Sequence, residues 1–125
     1  FDPGLPTVLV AHLHVRGANL SRGLFRLSEA DDVLVDPAVL KGGWSYVALG
    51  HIHALQAVDG VGTIRYPGPL DRLDFSEAAD DRGALLVDLG PAGVTADPVW
   101  LPLPPTPMYD VTVADPDAEL PGLAD

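Results

Sequence analysis

Apolar residues along this chain gather in short runs bounded by glycine, proline and polar positions. TVLVAH at 7–12 is β-branched and continuously apolar, the pattern of a buried strand, and SYVALG at 45–50 repeats it. TIRYPGPL at 63–70 reads as a strand broken by Pro67-Gly68-Pro69, where a ladder must stop. GALLVDLG at 83–90 and GVTADPVWLPL at 93–103 form a predicted hairpin around Gly90-Pro91-Ala92-Gly93. VRGANLSRG at 15–23 reads as loop. DPAVLKGG at 36–43 reads as one short helix, with Asp36 as N-cap, Pro37 in the first turn and Gly42-Gly43 as terminator. PLPPTP at 102–107 is a stiff connector, and MYDVTV at 108–113 begins another predicted strand. The pattern predicts an α/β, mostly β piece with short helices and no internal repeat. Val8, Val10, Val47, Leu49, Leu85 and Val87 are its expected core, in adjacent strands covered on both faces. Phe1 stands where a start methionine would, and the last strand has little chain left to pair with. Both ends are therefore expected to be cut edges.

With 125 residues the chain has room for one domain or part of a larger one, and a hydrophobic fraction of 47% suits a packed core. No apolar run approaches the roughly 18 residues of a membrane span, and no signal sequence opens the chain. The expectation is a soluble protein. The absence of cysteine excludes disulfides and thiolate metal sites and fits a cytoplasmic location. The net charge of −11 is uneven: residues 1–62 hold six acids and four bases, residues 63–125 twelve acids and three bases. Such a surface repels phosphate backbones unless a metal or a basic partner intervenes, so the chain alone is not expected to bind nucleic acid.

All four histidines fall in H-x-H pairs, His12/His14 and His51/His53. Residues two apart in a strand point to the same side, so one metal can meet both rings of a pair. By itself the spacing leaves two readings open, a structural pair and a ligand pair. Gly50 ends an apolar strand before His51, where it would let the backbone turn and bring both rings to the sheet edge. The carboxyl ends of strands are where open α/β sheets keep their sites, and His12 also ends an apolar strand.

YVALGHIH followed by IRYPGPLDRLDFSE resembles the calcineurin-like metallophosphoesterases. More narrowly, it resembles the SbcD-type DNA repair exonuclease subunits and their archaeal and eukaryotic double-strand-break repair counterparts. TVLVAHLHVRGA is similar to the family's preceding motif, a strand ending in a lone metal-binding histidine. The spacing from His12 through Gly50 to Tyr66-Pro67-Gly68 and Phe75-Ser76-Glu77 agrees, and the likeness runs from about Thr7 to PMYDV. The resemblance implies the C-terminal, mostly β half of a two-sheet metallophosphoesterase sandwich. It implies that 1–103 belong to the catalytic domain, and that 104–125 are a linker and the start of a truncated capping or DNA-binding domain. It also implies two divalent metal ions, manganese foremost with iron or zinc as alternatives, bridged by a carboxylate and a water. His12 and His51 would bind one ion and His53 its neighbour, with Gly50, Tyr66 and Gly68 shaping the site. The implied partners are DNA, an SbcC-like ATPase subunit and a second copy in the parent protein, with no membrane.

The family's aspartate-x-histidine, glycine-aspartate and glycine-asparagine-histidine motifs are absent from these residues, and Pro69 replaces the usual serine. No catalytic residue is therefore assigned within the segment, and the isolated fragment is expected to be inactive. His14 carries no transferable role and is expected in a second shell or at the surface. Asp71, Asp74 and Glu77 read as a polar loop, Arg65 and Arg72 as surface salt links, Tyr66 and Phe75 as packing under the site, and Trp44 and Trp100 as core or edge fillers. No P-loop, nucleophile elbow or dinucleotide fingerprint is present. The leading expectation is metal-dependent phosphodiester hydrolysis of DNA ends in double-strand-break repair. The alternatives are a phosphoesterase for small phosphodiesters and a truncated, non-catalytic metal-binding module.

Overall fold

A computed structural model describes residues 2, 4–20, 34–58 and 60–123. The elements in chain order are β1 (Val8–His12), β2 (His14–Val15), β3 (Leu34–Val35), α1 (Pro37–Leu40), β4 (Tyr46–Gly50), β5 (Gln56–Ala57) and β6 (Ile64–Tyr66). A 3-10 turn (Phe75–Glu77) then leads to β7 (Arg82–Leu86), β8 (Leu89–Gly90), β9 (Gly93–Val94), β10 (Val99–Leu103), α2 (Pro116–Glu119) and a second 3-10 turn (Leu120–Leu123). The result is a mixed α/β fold with several sheets and short helices. None of the described helices is long and apolar enough to cross a membrane.

The principal sheet has the order β1-β4-β6-β5, with β1, β4 and β6 parallel and β5 antiparallel to β6. Thr7 sets its register: the Thr7 carbonyl accepts from the Ser45 N–H at 2.8 Å, and Ser45 Oγ accepts from the Thr7 N–H at 3.0 Å. From there Val8 lies opposite Tyr46 and His12 opposite Gly50. Parallel pairing brings the carboxyl ends of β1 and β4 to one edge, which is where His12 and His51 emerge.

The core lies on one face of this sheet. Val47, Leu49, Ile52, Ile64 and Tyr66 are buried there with Val15 and Leu40, and Leu9 and Ala11 pack against them. Val8 and Val10, alternating onto the other face, are 43% and 78% exposed. Val47 and Leu49 are therefore buried as expected, but burial on both faces does not hold, since Val8 and Val10 stand exposed on the other. Leu85 is half-buried in β7, and Val87 is half-buried beyond its end. A continuous apolar run reports strand propensity on both faces, but not whether anything covers them.

The remaining strands pair two by two: β7 with β10, β8 with β9, and β2 with β3. The predicted hairpin is present, with Gly90 opposite Gly93. In α1 the Asp36 side chain caps the Ala38 N–H at 2.8 Å, as expected, but the helix ends before Gly42-Gly43. The strand predicted at 108–113 does not form. Residues 104–113 form neither helix nor strand. Pro104, Pro105 and Pro107 have no N–H to give a ladder. The last part of the loop expected at 15–23, residues 21–23, lies outside the described residues.

Candidate metal centre

The turn after β4 is made by His51, whose φ is +97°. The sequence suggested that Gly50 makes this turn, but Gly50 serves a different purpose. A Cβ at Gly50 would stand 2.9 Å from His12 Nδ1, so the His12 ring crosses the strand where only a glycine leaves space. The ring centres of His12 and His51 are 5.4 Å apart with their planes at 73°. Two imidazoles bound to one tetrahedral ion, each through a metal–nitrogen bond of about 2 Å, have ring centres about 5 Å apart. The pair therefore fits a shared ion. His14, for which no role was assigned, sits beside them, its ring centre 5.8 Å from that of His51.

His53 is held from the other side. Its Nδ1 is 2.5 Å from Glu77 Oε1, while Glu77 Oε2 accepts from the Leu73 N–H and from Arg82 Nη2, each at 2.9 Å. Arg82 Nη2 also reaches Asp80 at 3.1 Å, and Arg82 Nη1 donates to the His53 carbonyl at 3.4 Å. Glu77 and Arg82 are 1% and 3% exposed, so the reading of Glu77 as a loop polar group is corrected. Burial pushes the Glu77 carboxyl up, but the Leu73 N–H, the His53 ring and the Arg82 charge outweigh it and leave it below its ordinary value. A signal was available: Asp74 and Glu77 have the spacing of an N-cap and its third-position acid, and Asp74 does cap the Ser76 N–H at 2.8 Å. That spacing marks the turn but not the burial. Arg82 carried no such signal.

Tyr66 and Gly68 shape the surroundings. The fully buried Tyr66 donates its hydroxyl proton to the Leu13 carbonyl at 2.8 Å and accepts from the Val15 N–H at 2.9 Å, fixing the segment that carries His14. Burial pushes its phenol above the ordinary value. Gly68 has φ +79°, and a Cβ there would stand 2.6 Å from the His53 carbonyl oxygen. Other expectations change. Phe75 is 66% exposed, not packed under the site. Arg65 Nε bonds the Gly62 carbonyl at 2.8 Å, and Arg72 reaches the carbonyls of Thr106 and Asp80, while, behind the Thr106 hydrogen bonds, the Arg72 charge also helps to hold the Asp71 carboxyl down. Trp44 is exposed and Trp100 half-buried.

One cavity of about 280 Å³ is lined by His12, His51 and His53, with Gly50, Gly68 and Pro69 among its other residues and no carboxylate among the described ones. Among the described residues no three histidine or acidic side chains gather tightly enough to hold one ion. The donors present are three imidazoles on one cavity, a donor type that suits a divalent ion, and two of them, His12 and His51, lie close together.

No family model matches the chain. It is 42% identical over 106 residues to the SbcD component of the SbcCD nuclease of Rhodobacter capsulatus, covering 83% of this chain and 25% of that protein. It is 33% identical over 85 residues to the DNA double-strand break repair protein Mre11 of Aeropyrum pernix, covering 67% of this chain and 21% of that protein. The chain thus spans a quarter or less of the length of these relatives. With its paired histidines at the ends of parallel strands and this identity over most of its length, the chain belongs to the family of SbcD-type nuclease subunits.

Proposed function

We propose that this chain is the C-terminal part of a metallophosphoesterase catalytic domain that hydrolyses phosphodiester bonds at DNA ends. In this reading residues 1–103 are the mostly β half of a two-sheet sandwich, and 104–125 lead into a following capping or DNA-binding domain. His12 and His51 hold one divalent ion and His53 the neighbouring one; imidazole with carboxylate oxygen donors suits manganese, iron or zinc, and the family resemblance puts manganese foremost. The observation that carries the reading is the convergence of His12 and His51, ring centres 5.4 Å apart, at the mouth of a cavity that His53 also lines.

Two such ions would supply an activated water and neutralise charge on the phosphodiester. The chain's own residues orient the ligands: Gly50 gives the His12 ring its space, and Gly68 and Glu77 fix His53 from its backbone and ring sides. Among the described residues the cavity lining includes no carboxylate to bridge two ions, and with the family's upstream ligand motifs absent from the sequence the 125 residues alone are expected to hydrolyse nothing. A net charge of −11 makes the metals, and a basic surface elsewhere in the assembly, necessary for DNA to approach. An SbcC-like ATPase subunit and a second copy of the parent protein are the proposed partners.

A chimera tests this. In the Rhodobacter capsulatus relative, the matched segment is replaced by the corresponding residues of this chain, and release of nucleotides from linear duplex DNA is followed with manganese. Activity is expected in the chimera and is expected to fall to background with His53→Ala. Hydrolysis of a small phosphodiester without DNA cleavage would replace the DNA reading with the small-substrate one. A folded chimera inactive on both substrates would overturn the enzymatic reading altogether.

A further inference from the structure

We propose that Glu77 is the positioning residue for His53, fixing its ring as the tautomer protonated at Nδ1 and leaving Nε2 as the lone-pair nitrogen. An ionised carboxylate can only accept, so the contact between Glu77 Oε1 and His53 Nδ1 at 2.5 Å requires the ring proton on Nδ1. A neutral imidazole carries a single N–H, and Nε2 is then free to donate its electron pair. A histidine without such a partner mixes both tautomers.

The carboxylate is itself immobilised. Oε2 is held by the Leu73 N–H and by Arg82 Nη2, each at 2.9 Å. Arg82 offsets the charge of a carboxylate that is otherwise costly to bury, and through Nη1 it reaches the carbonyl of His53, the residue whose ring Glu77 holds. Ring, carboxylate, guanidinium and His53 carbonyl form a closed loop, so the orientation of the ring is tied to the backbone that carries it. The consequence for a metal rests on the ligand role proposed above: a histidine whose second nitrogen is held by a carboxylate is the more basic and better oriented ligand, and losing such a partner typically costs 10–100-fold in affinity.

The test reads the tautomer directly, without metal. The 125-residue chain is labelled with nitrogen-15 in its histidines, and the two ring nitrogens of His53 are observed at alkaline pH. The unsubstituted chain is expected to show the proton on Nδ1. Glu77→Gln offers one acceptor oxygen, which the Leu73 N–H and Arg82 claim, so its NH2 turns to His53 and the proton should move to Nε2, whereas Glu77→Leu should give a mixture. A proton on Nε2 in the unsubstituted chain overturns the proposal without any variant, as does an unchanged tautomer in a folded Glu77→Leu chain. Where the leucine variant does not fold, the unsubstituted chain and Glu77→Gln decide it. Zinc titration followed at the same nitrogens separates the two readings. A 10–100-fold weaker response in Glu77→Leu than in the unsubstituted chain supports both. A fixed Nδ1–H tautomer with ring nitrogens that ignore zinc upholds the positioning by Glu77 and sinks the ligand role of His53.

Discussion

Gly50 and Gly68 both border the candidate site, and they are required for different reasons. At Gly50 the backbone is ordinary strand and the constraint is the His12 ring, 2.9 Å from where a Cβ would lie. At Gly68 the constraint is the backbone itself, with φ +79° and the His53 carbonyl oxygen 2.6 Å from a Cβ. A ring on a rotatable side chain can move aside, whereas a carbonyl in a fixed loop cannot. Gly68→Ala is therefore expected to cost more than about 1 kcal/mol of stability in urea unfolding, since alanine at positive φ is strained even without the clash. Gly50→Ala is expected to cost less, to displace the His12 ring, and to weaken zinc binding to the chain measured by calorimetry. Equal stability losses in the two variants, or unchanged zinc binding in Gly50→Ala, would contradict this division.

At the scale of elements, the sequence was most legible where local chemistry decides the outcome. Asp36 and Pro37 announced α1, Gly90 to Gly93 announced the β8–β9 hairpin, and the runs at 7–12 and 45–50 announced β1 and β4. It was least legible where partners distant in sequence decide. The run at 108–113 has strand composition but no ladder partner among the described residues, and Glu77 looks like any loop acid until Arg82 and His53 close on it. The meeting of His12 with His51 was suggested by both ending apolar strands and sharpened by resemblance, because H-x-H spacing alone says nothing of which strands become neighbours.

The connector after β10 has an anchor that composition did not reveal. Asp71 Oδ1 accepts from the Thr106 N–H at 2.8 Å, and Oδ2 accepts from the Thr106 hydroxyl at 2.5 Å. The Thr106 hydroxyl foremost, then the N–H groups of Thr106 and Arg72, hold the Asp71 carboxyl below its ordinary value. A carboxyl lowered on folding stabilises above its unfolded value, and the contribution disappears as pH falls through the folded one. The Thr106 amide resonance is therefore expected to titrate with Asp71 at a midpoint below that of an ordinary aspartate, and Asp71→Asn should abolish the titration. A midpoint at or above the ordinary value would mean that this anchor does not form in solution.

At the scale of the whole molecule, two opposed properties meet. The chain exposes apolar strand faces, Val8 and Val10 on β1 and Leu86, Val99, Leu101 and Leu103 on the β7–β10 pair, all at least 41% exposed. It also carries a net charge of −11, which keeps copies apart. Among the described residues β1 pairs on one side only, so Val10, 78% exposed, lies on a sheet edge that invites another strand. Salt shifts the balance: a Debye length of about 30 Å at 0.01 M falls to about 3 Å at 1 M, removing the long-range repulsion while leaving the apolar attraction. The isolated chain is therefore expected to sediment as a monomer at low salt and to associate at high salt. Val10→Lys should hold it monomeric at both, because a lysine on the edge opposes strand pairing at close range and displaces no buried contact. The same substitution should change urea stability by less than about 0.5 kcal/mol, the usual limit for an exposed position. Association that weakens with salt would show instead that charge, not the uncovered β1 face, brings copies together.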